Sequence, residues 1–192
     1  MKKNIKVWHV ELKDPARVPA SDPDRPYRLE QIKQPSPEFN RYLYICVGSA
    51  WLWYMRLPWS YSQWLAAVSR PEQETWVAYH LGVPAGYFEL EKQAHGSVEI
   101  AYFGLLPEFI GQGLGKALLE DAICRAWALG GKRIWLHTCS LDHPGALSNY
   151  LARGFSVFKE EHIVDDLPEQ PLQPWVGANK STTKADATRY GA

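Results

Sequence analysis

The sequence predicts an α/β (α+β) fold, a mixed and mostly antiparallel central sheet flanked by helices. Three observations carry this. Strand-like runs at 75–82, 85–93 and 97–106 succeed one another across the short links Gly82-Val83-Pro84 and Ala94-His95-Gly96, and links this short join antiparallel neighbours. Residues 111–129 repeat with a helical period. After them strand and helix alternate, so the later strands are reached by crossovers.

The elements follow in order. Residues 5–12 (IKVWHVEL) are β-branched and aromatic, as a strand requires. Prolines at 15, 19, 23, 26, 35 and 37 then impose loop, with room for a short strand at Tyr27–Ile32. Ser36-Pro37-Glu38 is a helix start, serine at the cap and proline in the first turn, and the helix runs to about Gly48. An aromatic connection (WLWYMRLPW, 51–59) leads to a second helix from about Tyr61 to Ser69. In the long helix Leu114, Ala117, Leu118, Ala122, Ile123, Ala126 and Trp127 form an apolar stripe opposite Gln112, Lys116, Glu120, Asp121 and Arg125. Gly130-Gly131 ends it; strand 133–139, a helix at about 144–153 closed by Gly154, and strand 155–164 complete the order. Residues 1–165 are expected to form one domain, and 166–192 a polar, proline-containing tail that is partly mobile.

Composition excludes several classes. The 192 residues carry 21 Lys+Arg against 21 Asp+Glu, a formal charge of zero. This argues against nucleic-acid and membrane-surface partners, which select a basic excess. Cys46, Cys124 and Cys139 are odd in number and form no Cys-x-x-Cys pair, as expected of reduced thiols in the cytoplasm. The basic N-terminus lacks an apolar h-region and no run of about 18 apolar residues exists. Nine Trp, ten Tyr and six Phe are an excess that serves either a core or a ligand pocket.

The densest chemical signal is Ile110-Gly111-Gln112-Gly113-Leu114-Gly115-Lys116, between a strand and the long helix. Closely spaced glycines let backbone N–H groups approach a phosphate, and a helix N-terminus favours the anion. A P-loop is excluded, because Ala117 follows Gly115-Lys116 and Ile110 occupies the place of the first glycine. A dinucleotide fingerprint is excluded because Lys116 stands where its last glycine belongs. Pro107-x-x-Ile110-Gly111-x-Gly113-x-Gly115 instead resembles the pyrophosphate-binding motif of the GNAT superfamily of N-acetyltransferases, usually [RQ]-x-x-G-x-[GA], with Ile110 in place of the usual Arg or Gln. The segment His143-Pro144-Gly145-Ala146-Leu147-Ser148-Asn149-Tyr150-Leu151-Ala152-Arg153-Gly154-Phe155 is similar to the family's second motif, with Ala146, Tyr150, Gly154 and Phe155 matching and His143 replacing Asn. The resemblance covers roughly 75–160.

It implies a GNAT-like fold and acetyl-CoA as cosubstrate, with Gly111, Gln112, Gly113, Leu114, Gly115 and Lys116 at the pyrophosphate and Leu105, Leu106, Ile110 and His143 along the rest of the coenzyme. Lys116 would restore the charge that Ile110 lacks. A backbone N–H near Leu105, where the family splays its strand, would hold the developing oxyanion. Tyr150 would protonate the departing thiolate, or is a core tyrosine. By spacing to Ile110, Glu99 resembles the family's strand glutamate that serves as base; alternation places it with Ala101, Phe103 and Leu105, apolar company that would raise its pKa. The alternative is a solvated strand glutamate. Tyr42, Tyr44, Trp51, Trp53, Tyr54, Trp59, Tyr61 and Trp64 form either an acceptor pocket, with Trp51, Trp53 and Trp59 offering cation–π contacts to an amine, or a helix-packing core. His137, Cys139 and His143 lack a fourth ligand, so no metal is expected.

The expected activity is acetyl transfer from acetyl-CoA to a primary amine, small molecule or peptide, by direct attack in a ternary complex. A non-catalytic acyl-CoA sensor and an aromatic-rich interaction module are the alternatives. A homodimer is left open.

Overall fold

The computed structural model describes residues 2–17 and 24–167. The chain runs β1 (Lys2–Leu12), β2 (Arg28–Gln31), α1 (Pro37–Gly48), α2 (Tyr61–Val68), β3 (Gln73–His80), β4 (Val83–Lys92), β5 (Ser97–Leu105), α3 (Leu114–Ala128), β6 (Arg133–Cys139), α4 (Ala146–Ala152) and β7 (Ser156–Asp166). Single 3-10 turns lie at Pro15–Arg17, Ser49–Trp51, Ala94–Gly96 and Pro107–Phe109.

The caps explain the helix starts. Ser36 precedes Pro37 and accepts from the Phe39 N–H, and Ser60 and Gln63 close a reciprocal capping box on α2. The long helix begins later than its periodicity suggests, at Leu114 instead of 111. Gly111 (φ +86) and Gly113 (φ +81) are left-handed, a conformation that interrupts helical geometry and that glycine alone adopts without strain.

All seven strands form one sheet in the order β2-β3-β4-β5-β6-β1-β7. The hairpins β3–β4 and β4–β5 are antiparallel as expected. β1 lies between β6 and β7, antiparallel to both. β5 and β6 are the one parallel pair, as the crossover through α3 demands. β7 continues through Asp166, and Leu167 packs with Ile5 and Val7 in a small second core. The expected tail beyond that point lies outside the described residues.

Helices cover both faces. Val47 of α1 sits against Gly104, whereas Leu118 of α3 and the Leu105 side chain meet at Gly86. Since Gly104 and Leu105 point to opposite faces, α1 and α3 lie on opposite sides of the sheet. The main core joins both sides, with Leu118, Leu119, Ala122, Ile123 and Ala126 from α3 against Phe88, Leu90, Val98 and Ile100. Among the described residues no helix is long and apolar enough to cross a membrane.

Two irregularities in β5 make the site. Leu90 pairs with Ile100 but Glu89 with Tyr102, so Ala101 is an extra residue, a bulge. β5 also pairs with β6 only over Ser97–Glu99 against Arg133–Trp135. Beyond that the two strands part, and the sheet opens into a split between Ile100–Leu105 and Leu136–Cys139.

Candidate active site

A cavity of about 800 Å³ occupies the split. On the α3 side it is lined by Leu105, Ile110, Gly111, Gly113, Gly115 and Lys116, with His143 and Tyr150 facing them. On the α1 side its walls include Val47, Trp51, Trp53, Tyr102 and Gly104. The cavity therefore passes through the sheet, joining the glycine loop on one face to the aromatic connection on the other.

The glycine loop has the features its sequence implied. Gly113 caps α3 without a side-chain acceptor, so the first N–H groups of the helix meet no capping side chain. A Cβ at Gly111 or Gly113 would meet only open space, so both backbones face free volume. Lys116, in the first turn of α3, also lines the cavity. The side chains of three of the expected coenzyme residues are turned to other partners. Leu106 and Leu114 are buried in the core, and Gln112 Nε2 donates to the Glu108 carbonyl at 2.8 Å, tying its own loop. None of the three side chains lines the cavity.

The Leu106 N–H donates to the Ala85 carbonyl at 2.9 Å. In an antiparallel ladder alternate N–H groups point to opposite sides of the strand. The Leu105 N–H therefore points away from β4, toward the split. His143 turns its ring edge-on to Trp51, centroids 5.4 Å apart, and accepts the Gly145 N–H on Nδ1 at 3.0 Å.

Tyr150 enters from α4 on the α3 side. Its ring lies between Phe103 and Phe155, at 6.1 and 6.2 Å between centroids. Burial, with Asp142 adding a smaller contribution, pushes the phenol well above its usual range near 10. It thus keeps its proton at any ordinary pH.

Glu99 departs from expectation. The bulge at Ala101 reverses the alternation, so Glu99 shares a face with Glu91, Glu89 and Tyr102 on the α1 side, not with Phe103 and Leu105. Its neighbours are polar: Gln93 Nε2 donates to one carboxylate oxygen at 2.8 Å, and His137 Nδ1 stands 3.6 Å from the other. Gln93 is itself fixed by the Trp135 indole N–H, which donates to it at 2.9 Å. The residue that reaches the cavity is His137. Glu99 raises the imidazole pKa, burial opposes it to a lesser degree, and Asp142 adds a smaller upward contribution. Sequence reading weighed His137 only as a metal ligand. Its pairing with Glu99 depends on the β5–β6 register, which no local pattern displays. No group of three His, Cys, Asp or Glu that would hold a metal occurs among the described residues.

The aromatic segment divides. Trp51 and Trp53 line the cavity, but Trp59 does not. Trp59, Trp64 and Tyr102 instead box the guanidinium of Arg56, at 4.9, 5.7 and 4.1 Å from their ring centroids. Arg56 is 8% exposed and Glu89 0%, and they pair at 2.8 Å. Gln73 and Asn40 also donate to Glu89, at 3.1 and 3.5 Å. The expected cation over Trp59 is thus the chain's own arginine, and this part of the segment is core. At the outer end of the cavity Tyr54 Oη donates to Asp165, linking the α1–α2 connection to β7.

The model of the acetyltransferase (GNAT) family matches residues 27–155. No curated protein matches the sequence. Among solved structures, a GCN5-related N-acetyltransferase from Sphaerobacter thermophilus superposes with a TM-score of 0.63 at 17% identity, covering 83% of this chain and 50% of that one. A GCN5-related N-acetyltransferase from Kribbella flavida gives 0.60 at 17% identity, covering 87% and 61%. The chain therefore spans half to three fifths of the length of these two proteins, and the likeness establishes the shared fold. With the family model spanning most of the described residues, glycine loop and split sheet included, the chain belongs to the GNAT acetyltransferase family.

Proposed function

We propose that the protein transfers an acetyl group from acetyl-CoA to a primary amine by direct attack within a ternary complex. The observation that carries the reading is the cavity through the sheet, with an uncapped helix N-terminus at one mouth and an aromatic mouth on the other face. The coenzyme pyrophosphate would take the free N–H groups at Gly111, Gly113, Leu114 and Gly115, with Lys116 beside them. The pantetheine arm would follow Leu105 and Ile110 into the split, past His143. The Leu105 N–H would donate to the thioester oxygen as it gains charge.

The two proton-handling groups approach the split from opposite faces. On the acceptor side His137 would take the amine proton and Glu99 would hold the imidazolium that results, so Glu99 acts through His137. On the coenzyme side Tyr150 would give its proton to the sulfur as the C–S bond breaks. The amine nitrogen gains the acetyl carbon, and coenzyme A leaves as the thiol.

The test is acetyl-CoA-dependent release of free thiol over an amine panel, with coenzyme A binding followed separately by calorimetry. Thiol release that requires an amine supports the reading. Coenzyme binding with no turnover on any amine would leave a sensor instead, and no binding at all would leave an interaction module.

A further inference from the structure

We infer that the acceptor is a primary amine carried on an uncharged, apolar body, and that acceptors bearing a carboxylate beside the amine are rejected. The inference rests on the transfer reaction proposed above and concerns the same cavity.

The argument is one of charge. Among the described residues that line the cavity, Lys116 is the one lysine or arginine, and it belongs to the glycine loop on the coenzyme side. The guanidinium of Arg56 is sealed between Trp59, Trp64 and Tyr102 and already paired with Glu89. Among the described residues, the carboxylates that line the cavity are Asp142 and Asp165. Asp142 lines the cavity and is engaged by the Thr138 hydroxyl at 2.7 Å and the Cys139 N–H at 2.9 Å. Asp165 lines it too, accepting from Tyr54. Beside His137, Tyr54 and Tyr102, the walls of the acceptor end include the apolar Ile5, Val7, Trp51, Leu52, Trp53 and Met55.

With His137 neutral, as its proposed role as base requires, an acceptor carboxylate entering here would lose water, find no lysine or arginine, and meet the Asp142 and Asp165 carboxylates. A hydrocarbon or aromatic body would exchange water for indole and aliphatic surface. An ammonium would be drawn in by the acidic groups before it is deprotonated.

The experiment compares 2-phenylethylamine, phenylalaninamide and phenylalanine on the full chain at fixed pH. They share the aromatic body and differ at one substituent: hydrogen, neutral carboxamide, carboxylate. The expected result is a kcat/KM for phenylalanine at least about 100-fold below the other two. Binding of each to the protein–coenzyme A complex is measured by calorimetry in parallel. Met55 is exposed and lines the cavity, so Met55→Arg supplies the missing cation without disturbing the core. It should narrow the discrimination at least tenfold.

Phenylalanine equal to or better than the neutral pair, in turnover or binding, overturns the acceptor class while leaving the transfer reaction standing. So does an unchanged ratio in Met55→Arg, or failure of all three to bind. Selective binding of the neutral amines without turnover has the opposite meaning: the acceptor class stands and the transfer reaction falls.

Discussion

Nδ1 of His137 lies 3.6 Å from Oε1 of Glu99, and of the two side chains only the imidazole lines the cavity. The carboxylate is held from behind by Gln93, so it can orient and charge-stabilise the ring without meeting substrate. This relationship sets the pH behaviour expected of the enzyme. In the proposed role His137 must be neutral to act as base, and Glu99 raises its pKa above the ordinary value near 6.5. Activity should therefore climb with pH through a midpoint above that value. Glu99→Gln removes the principal cause, so the midpoint of kcat/KM should move to lower pH while the plateau falls. His137→Gln should lower kcat about 100-fold or more with coenzyme affinity retained. A Glu99→Gln profile with an unmoved midpoint would refute the coupling.

The same pair has a stability signature. A group whose pKa is raised by folding stabilises the native state below its unfolded pKa and loses that effect as pH rises through the folded value. The stability advantage of the wild type over His137→Gln should thus be greatest in mild acid and shrink toward alkaline pH. Urea midpoints at several pH values check it.

Tyr150 makes a contrasting prediction. Burial raises its pKa well above 10, so the phenol should contribute no alkaline limb to the rate profile below that pH. Tyr150→Phe keeps the ring between Phe103 and Phe155 and removes only the hydroxyl. It should reduce kcat by about 100-fold and leave coenzyme A binding near wild type, as single-turnover kinetics and calorimetry would show.

At Gly113 the backbone is left-handed, a region that costs a residue with a Cβ about 1–2 kcal/mol. Gly113→Ala should lower stability by that amount and weaken coenzyme A about tenfold, because the cap backbone proposed to hold the phosphate shifts. A stability loss with unaltered coenzyme affinity would show that the loop does not hold the anion.

Arg56 and Glu89 should behave as a sealed ion pair. Removing one partner leaves a charge buried without compensation, so Glu89→Gln or Arg56→Met should cost about 3–5 kcal/mol in denaturant unfolding. The double variant should cost less than the sum, since neither charge remains.

Much of this fold was legible. The capped helices, the hairpins joined by Gly82-Val83-Pro84 and Ala94-His95-Gly96, and strand 133–139 are local patterns, and the structure matches them to within a few residues. Gly111 and Gly113 were legible for the same reason: a turn's chemistry lies in adjacent residues. The pairing of Glu99 with His137 was not. It depends on one extra residue at Ala101, which inverts which side chains share a face with Glu99, and on a parallel register that brings Trp135 and His137 beside it. Neither has a compositional mark. Trp59 misled because a tryptophan suited to a cation does not say which cation, and Arg56, three residues earlier, supplies it from within.

The position of β1 has a kinetic consequence. Its two sheet partners are the last two of the described strands, with Val7 paired to Cys139 on one side and Glu161 on the other. During synthesis β1 emerges before the other described strands and must wait for more than a hundred residues before either edge is satisfied. Closing contacts so distant in sequence is slow, and a strand with both edges unpaired invites wrong partners. Nascent chains halted before β6 should therefore be prone to association through β1, and refolding should be limited by the late capture of this strand between β6 and β7. Ile5 and Val7, which line the cavity, take their places only at that step, so ligand binding beside them should be the last property the folding chain acquires.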